Sequence, residues 1–88
     1  MKTKKLSAAD EVKVRLAGVI TEAQAINHWN MVQLAAKLEM CDKTLRLRME
    51  NPYTWKMMEL CRLALYAHRP LSDVMAIISG LSWVNKGI

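Results

Sequence analysis

Apolar residues recur at three- and four-residue steps along most of this chain, and the breakers between the runs are few. Three glycines and two prolines in 88 residues leave little room for the turns of a many-stranded fold. Phenylalanine is absent, and the aromatics are three tryptophans and two tyrosines, whereas strands select aromatic and β-branched side chains. The expectation is an all-α fold of about five helices.

Length allows one small domain. With 52% hydrophobic and 24% charged residues the chain suits a globular core and not a disordered segment. A core of this size is marginal, so an apolar-rich chain invites a partner subunit. The net charge of +5 excludes an acidic DNA mimic and admits nucleic acid or an anionic membrane as partner. No apolar run approaches the ~18 residues that span a bilayer. Met1-Lys2-Thr3-Lys4-Lys5 could open a signal peptide, but Asp10, Glu11, Lys13 and Arg15 interrupt its apolar region. A cytoplasmic protein is expected. Cys41 and Cys61 fall in separate helical regions and read as buried thiols.

Three parts follow along the chain: a flexible basic arm at 1–6 with Lys2, Lys4 and Lys5, a helical domain at 7–80, and an apolar tail at 81–88. Ser7 can cap a long first helix whose inward residues are Ala9, Val12, Leu16, Val19, Ala23 and Ile26. Asn27-His28-Trp29-Asn30 breaks it, and Asn30 caps a second helix with Gln33 at the capping-box position. That helix buries Leu34, Ala35 and Leu38 and ends near Glu39. Asp42 opens a third, turned inward at Leu45 and Met49, which Asn51-Pro52 stops. Thr54 caps a fourth over roughly 55–67, apolar around most of its circumference and read as a core helix with a possible dimer face. Leu71, Val74, Met75 and Ile78 mark a fifth, ending at Ser79-Gly80.

The stretch 30–51 carries the functional signal. Two short helices joined by a tight turn fit a helix-turn-helix, whose second helix lies in the DNA major groove. With Leu45 inward, the opposite face is Lys43, Leu47 and Glu50, flanked by Thr44 and Arg46. Lys43 and Arg46 can donate to guanine or phosphate, while Thr44 and Leu47 can touch a thymine methyl. Glu50 can accept from cytosine N4 or pair with Arg46 one turn away, and Arg48 on the flank suits a phosphate or a surface charge.

Residues 30–78 resemble the lambda-repressor-like (Cro-type) helix-turn-helix domains, in particular small phage-type regulators. The resemblance rests on Leu34-Ala35-Ala36-Lys37-Leu38, Lys43-Thr44-Leu45, Asn51-Pro52 and Thr54. It implies an all-α domain, sequence-specific DNA binding and a homodimer, here with an extended N-terminal helix. Three positions depart from the family pattern. Glu39 stands where the turn usually has glycine, Cys41 replaces the serine that commonly opens the recognition helix, and Met31 replaces a backbone-reaching glutamine. Without the serine, Asp42 becomes the expected cap.

The reading is a DNA-binding regulator without cofactor or metal, a repressor of phage or mobile-element type acting as a homodimer on an inverted repeat. Trp55, Met58, Leu65, Leu81, Trp83 and Val84 are the candidate dimer contacts, and DNA contacts fall to Lys43, Thr44, Arg46, Leu47, Arg48 and Glu50. The alternative is a small interaction protein, an inhibitor or adaptor, with Trp55, Tyr66 and Trp83 as anchors. An enzyme is not expected: His28 and His68 lie at helix ends, no glycine-rich phosphate loop is present, and no short Cys/His pair suggests zinc.

Overall fold

The computed structural model describes residues 8–79, which form five α-helices and no strand. They are α1 (Ala8–Asn27), α2 (Met31–Lys37), α3 (Asp42–Glu50), α4 (Met57–Tyr66) and α5 (Leu71–Ile78). A single 3-10 turn, Pro52–Thr54, connects α3 to α4. The basic arm, the Ser7 cap and the apolar tail lie outside the described residues.

The long first helix is the spine. Val12, Leu16, Val19, Ile20 and Ala23 form its buried stripe, recurring at helical spacing against the other elements. Ile20 belongs to this stripe, whereas Ile26, placed inward by the sequence reading, is exposed one residue before the helix ends. The α2–α3 pair packs on one part of α1 and the α4–α5 pair on another. Leu34, Ala35, Leu38 and Leu45 fill the space beneath α2 and α3, and Leu60, Leu63, Ala64 and Val74 fill the space beneath α4 and α5.

Local chemistry sets where the helices begin and end. At α2 the capping box forms as the sequence predicts: Gln33 N–H donates to Asn30 Oδ1 at 2.8 Å, and Asn30 N–H to Gln33 Oε1 at 2.9 Å. The fourth helix starts two residues later than expected. Thr54 does not cap it, because the Thr54 hydroxyl donates to Asn51 O at 2.7 Å within the 3-10 turn. Lys56 is the cap residue, and its N–H donates to the Glu59 carboxylate at 3.0 Å.

Three helices end in the same way. His28, Glu39 and His68 take φ of 59°, 63° and 57°, the left-handed region that favours glycine. In each case the following N–H turns back five residues: Trp29 to Gln24 O, Met40 to Ala35 O and Arg69 to Ala64 O. Glutamate at 39 therefore keeps the glycine-type turn instead of reshaping it. Asn27 ties two of these ends together, its Nδ2 donating to Ala23 O at 2.8 Å and to Tyr66 O at 2.9 Å.

Holding a side chain in that region costs about 1 kcal/mol or more. The Glu39–Arg62 contact of 3.4 Å offsets little of this, since the Glu39 side chain is largely in water. Glu39→Gly is expected to stabilise the fold by about 1 kcal/mol, seen as a Tm about 4–8 °C higher in thermal unfolding. An unchanged or lower Tm would contradict the strain assigned to this turn.

Candidate nucleic-acid interface

Leu38, Glu39, Met40 and Cys41 join α2 to α3. The reversal at Glu39 brings the two short helices together over Ala35, whose methyl group is fully buried and leaves room for their close approach. Leu45 is 0% exposed, which fixes the rotation of α3 about its axis. Lys43, Arg46, Leu47 and Glu50 are then all exposed, at the i, i+3, i+4, i+7 spacing of one helix face. Leu47 stands 54% exposed in the middle of that face. This is the outward surface predicted around Leu45.

The charged groups on α3 do not all remain on that surface. Arg46 Nε lies 3.8 Å from Asp42 Oδ2, and Glu50 Oε1 lies 3.9 Å from Lys13 Nζ on α1. Arg46 thus turns toward Asp42, not toward Glu50, the other partner its spacing allows. Both contacts are long and exposed, so they leave the side chains free to exchange partners. Lys43 has no carboxylate within ion-pair distance among the described residues.

Arg48 is different. Its Nε donates to Glu59 Oε1 at 2.9 Å and its Nη2 to Glu59 Oε2 at 3.2 Å, a two-pronged pair from the last turns of α3 to the first turn of α4. The two side chains are 19% and 12% exposed. The sequence reading gave Arg48 a phosphate contact or a surface charge. Here its guanidinium is engaged inward, where it holds α3 to the start of α4. Burial raises the Glu59 pKa, but the hydrogen bonds from Arg48 and from Lys56 N–H, with the charge of Arg48, outweigh it and hold the carboxyl below its ordinary value. No local signal marks this pair, because its members lie eleven residues apart.

The start of α3 also departs from expectation. Cys41 is the cap residue, with extended φ and ψ, and Asp42 is already inside the first turn. Cys41 Sγ sits 3.3 Å from Thr44 Oγ1. The hydrogen bond to the Thr44 side chain, with those from the Thr44 and Lys43 amides, lowers the exposed thiol below its ordinary pKa. Cys41 is therefore an exposed thiol at the cap position and not the buried hydrophobe its residue type suggested. Thr44 is half-buried by this contact, at the edge of the outward face. Tyr53, in the turn directly after α3, is 68% exposed and carries no helical periodicity by which the sequence could have singled it out.

Of the candidate dimer residues, Met58 and Leu65 are 58% and 68% exposed on α4, one above the other at i, i+7. Trp55 is not available for such a contact. It is 7% exposed within the core cluster, and its indole N–H is sealed there without an acceptor. Leu81, Trp83 and Val84 lie outside the described residues. Tyr66 meets Trp29 edge-on at 5.1 Å, and Lys37 Nζ stands 5.4 Å from the Trp29 ring, so the Tyr66 ring is engaged within the fold. His28 and His68 occupy left-handed helix ends. Among the described residues no group of three or more His, Cys, Asp or Glu could hold a metal ion, and no helix is long and apolar enough to cross a membrane.

Glu59→Gln keeps the side-chain shape but leaves the Arg48 charge half-buried and unpaired. A loss of about 1–3 kcal/mol at neutral pH is expected, below the full cost for deeply buried pairs because both groups keep some solvent. The sign of the pH dependence follows from the depressed carboxyl: its stabilisation is complete above the ordinary carboxylate range and disappears as pH falls through the lowered native value. Denaturant melts across that range should show a shallower acid loss for Glu59→Gln than for the unaltered chain; parallel profiles would contradict the pairing. In comparisons with known proteins, no family model, curated protein or solved structure matches this chain.

Proposed function

We propose that the chain is a sequence-specific, double-stranded DNA-binding regulator of helix-turn-helix type, a repressor of phage or mobile-element kind that works as a homodimer. The observation that carries this reading is the Lys43, Arg46, Leu47 and Glu50 face, solvent-directed on a short helix whose rotation and tilt are fixed from behind by Leu45 and Arg48. A helix with side chains is about 10–12 Å across and enters the roughly 12 Å major groove. Lys43 and Arg46 supply donors for guanine or phosphate, Leu47 an apolar contact for a thymine methyl, and Glu50 an acceptor for cytosine N4. Thr44 adds a hydroxyl at the margin. Arg48 acts behind this face as a positioning residue.

In a symmetric dimer two such helices enter successive major grooves about 34 Å apart, and the site is an inverted repeat. Binding over a promoter blocks transcription and requires neither cofactor, metal nor catalysis. Met58 and Leu65 offer the described residues' best seam for the dimer. The same stripe favours a second reading, a protein-interaction module in which α4 docks on a different partner and α3 reads nothing.

Selection of bound duplexes from a random pool at moderate salt separates the two. An enriched inverted repeat is the expected result, and absence of enrichment favours the module. Lys43→Ala and Arg46→Ala should each weaken the selected site by about 1–3 kcal/mol with relaxed preference at one position. Unchanged preference in both variants would remove the reading role from this face. Light scattering should give a mass near twice 10.0 kDa for the chain and near 10.0 kDa for Leu65→Glu, with helicity retained in both. A monomeric unaltered chain at assay concentrations would overturn the dimer.

A further inference from the structure

The far end of α3 is not left to its own side chains. Glu50 is the last residue of the helix and stands exposed at the end of its outward face. A helix C-terminus already carries partial negative charge on its unpaired carbonyls, and Glu50 adds a full one. Arg48, the basic residue of that last turn, is turned inward to Glu59. A cation reaches this end from another element. α1 packs against α3, and Lys13 Nζ on α1 lies 3.9 Å from Glu50 Oε1.

The geometry points to Lys13 as a further DNA-contacting residue, a phosphate ligand that α1 sets at the rim of the α3 face. This rests on the DNA-binding reading and adds to it a contact from outside the helix-turn-helix. From Lys43 to Glu50 the helix rises about 10 Å. When the N-terminal residues of such a helix meet the base edges, its C-terminal end lies toward the sugar-phosphate wall of the groove. A carboxylate and a helix C-terminus both repel a phosphate there. An ammonium beside them offsets that repulsion and supplies donors to the phosphate oxygens.

Two features suit Lys13 to this role better than to holding the fold. At 3.9 Å its ammonium makes no hydrogen bond to Glu50, so none of its three donors is committed there. The Lys13 and Glu50 side chains are 38% and 75% exposed, and a pair so open to water adds little to folding. Its flexible four-carbon stem lets the ammonium swing to a nearby phosphate while α1 stays in place. Arg48 is the contrast, committed to Glu59 by two hydrogen bonds. Asp42, the other carboxylate of α3, is answered within the helix by Arg46 at 3.8 Å. Only at Glu50 is the cation drawn from a different helix.

The test is equilibrium binding of the full chain, over a series of salt concentrations, to the duplex enriched from the random pool. Lys13→Ala should weaken selected and unselected duplexes alike and leave base preference unchanged. The slope of log affinity against log salt should become shallower by about 0.9 for each chain bound. Lys13→Gln, which keeps most of the stem, should do the same, and Lys13→Arg should restore the slope. One uncharged methylphosphonate per half-site should weaken the unaltered chain at a position where it leaves Lys13→Ala unaffected. Circular dichroism should show equal helicity in all four proteins. An unchanged slope in folded Lys13→Ala and Lys13→Gln overturns the inference and leaves the DNA reading standing. Loss of preference at one base pair with the slope unchanged also overturns it, since Lys13 would then act through Glu50. If the unaltered chain enriches no duplex, the reading and the inference fall together.

Discussion

The Arg48–Glu59 pair is the interaction on which the proposed reading surface depends. α3 is only nine residues long, too short to hold its own orientation, and only Leu45 along it is fully buried. Leu45, with the partly buried Met49 against the core, sets the rotation of the helix. The second anchor is Arg48, which joins the end of α3 to Glu59 through two parallel hydrogen bonds. Glu59 is itself fixed by Lys56 N–H at the start of α4, so the angle of α3 is tied to the core through three groups in series. A cation that the sequence offers to DNA is thereby spent on placing its neighbours.

That arrangement also changes how the charge of the chain is understood. A net +5 suggests a broad basic surface, but among the described residues Arg48, Arg62 and Arg69 face carboxylates. What α3 turns to solvent is a mixed face of two cations, a leucine and a glutamate. Non-specific affinity follows the number of phosphates neutralised. On the proposed DNA-binding reading, a face with so little uncompensated charge would suit discrimination between bases better than strength of adhesion, and the proposed second copy would supply the added affinity.

The parts of the fold legible in the sequence are those decided within a turn of helix. The Asn30–Gln33 box joins residues three apart, the buried stripe of α1 repeats from Val12 to Ala23, and the inward phase of Leu45 follows from its apolar neighbours. Illegible parts were decided by groups distant in sequence or by competition between near ones. Thr54 has the residue type of a cap, yet its hydroxyl finds Asn51 O first, and α4 begins at the next place where a carboxylate can reach back. Trp55 has the chemistry of a surface anchor but is enclosed by the core. Nothing near Arg48 in sequence identifies Glu59 as its partner. The positive φ at Glu39 was implied by family resemblance alone, since no rule of composition puts glutamate there.

The central claim is that the outward face of α3 meets base edges. Its most direct measurement is the titration of the isotope-labelled chain with a duplex carrying the selected repeat, following backbone and side-chain resonances by nuclear magnetic resonance. The account predicts the largest changes at Lys43, Arg46, Leu47 and Glu50, with the Arg48 guanidinium resonances little altered because that group stays on Glu59. Changes centred on Met58 and Leu65 with α3 unmoved, or release of Arg48 from Glu59 on binding, would contradict it.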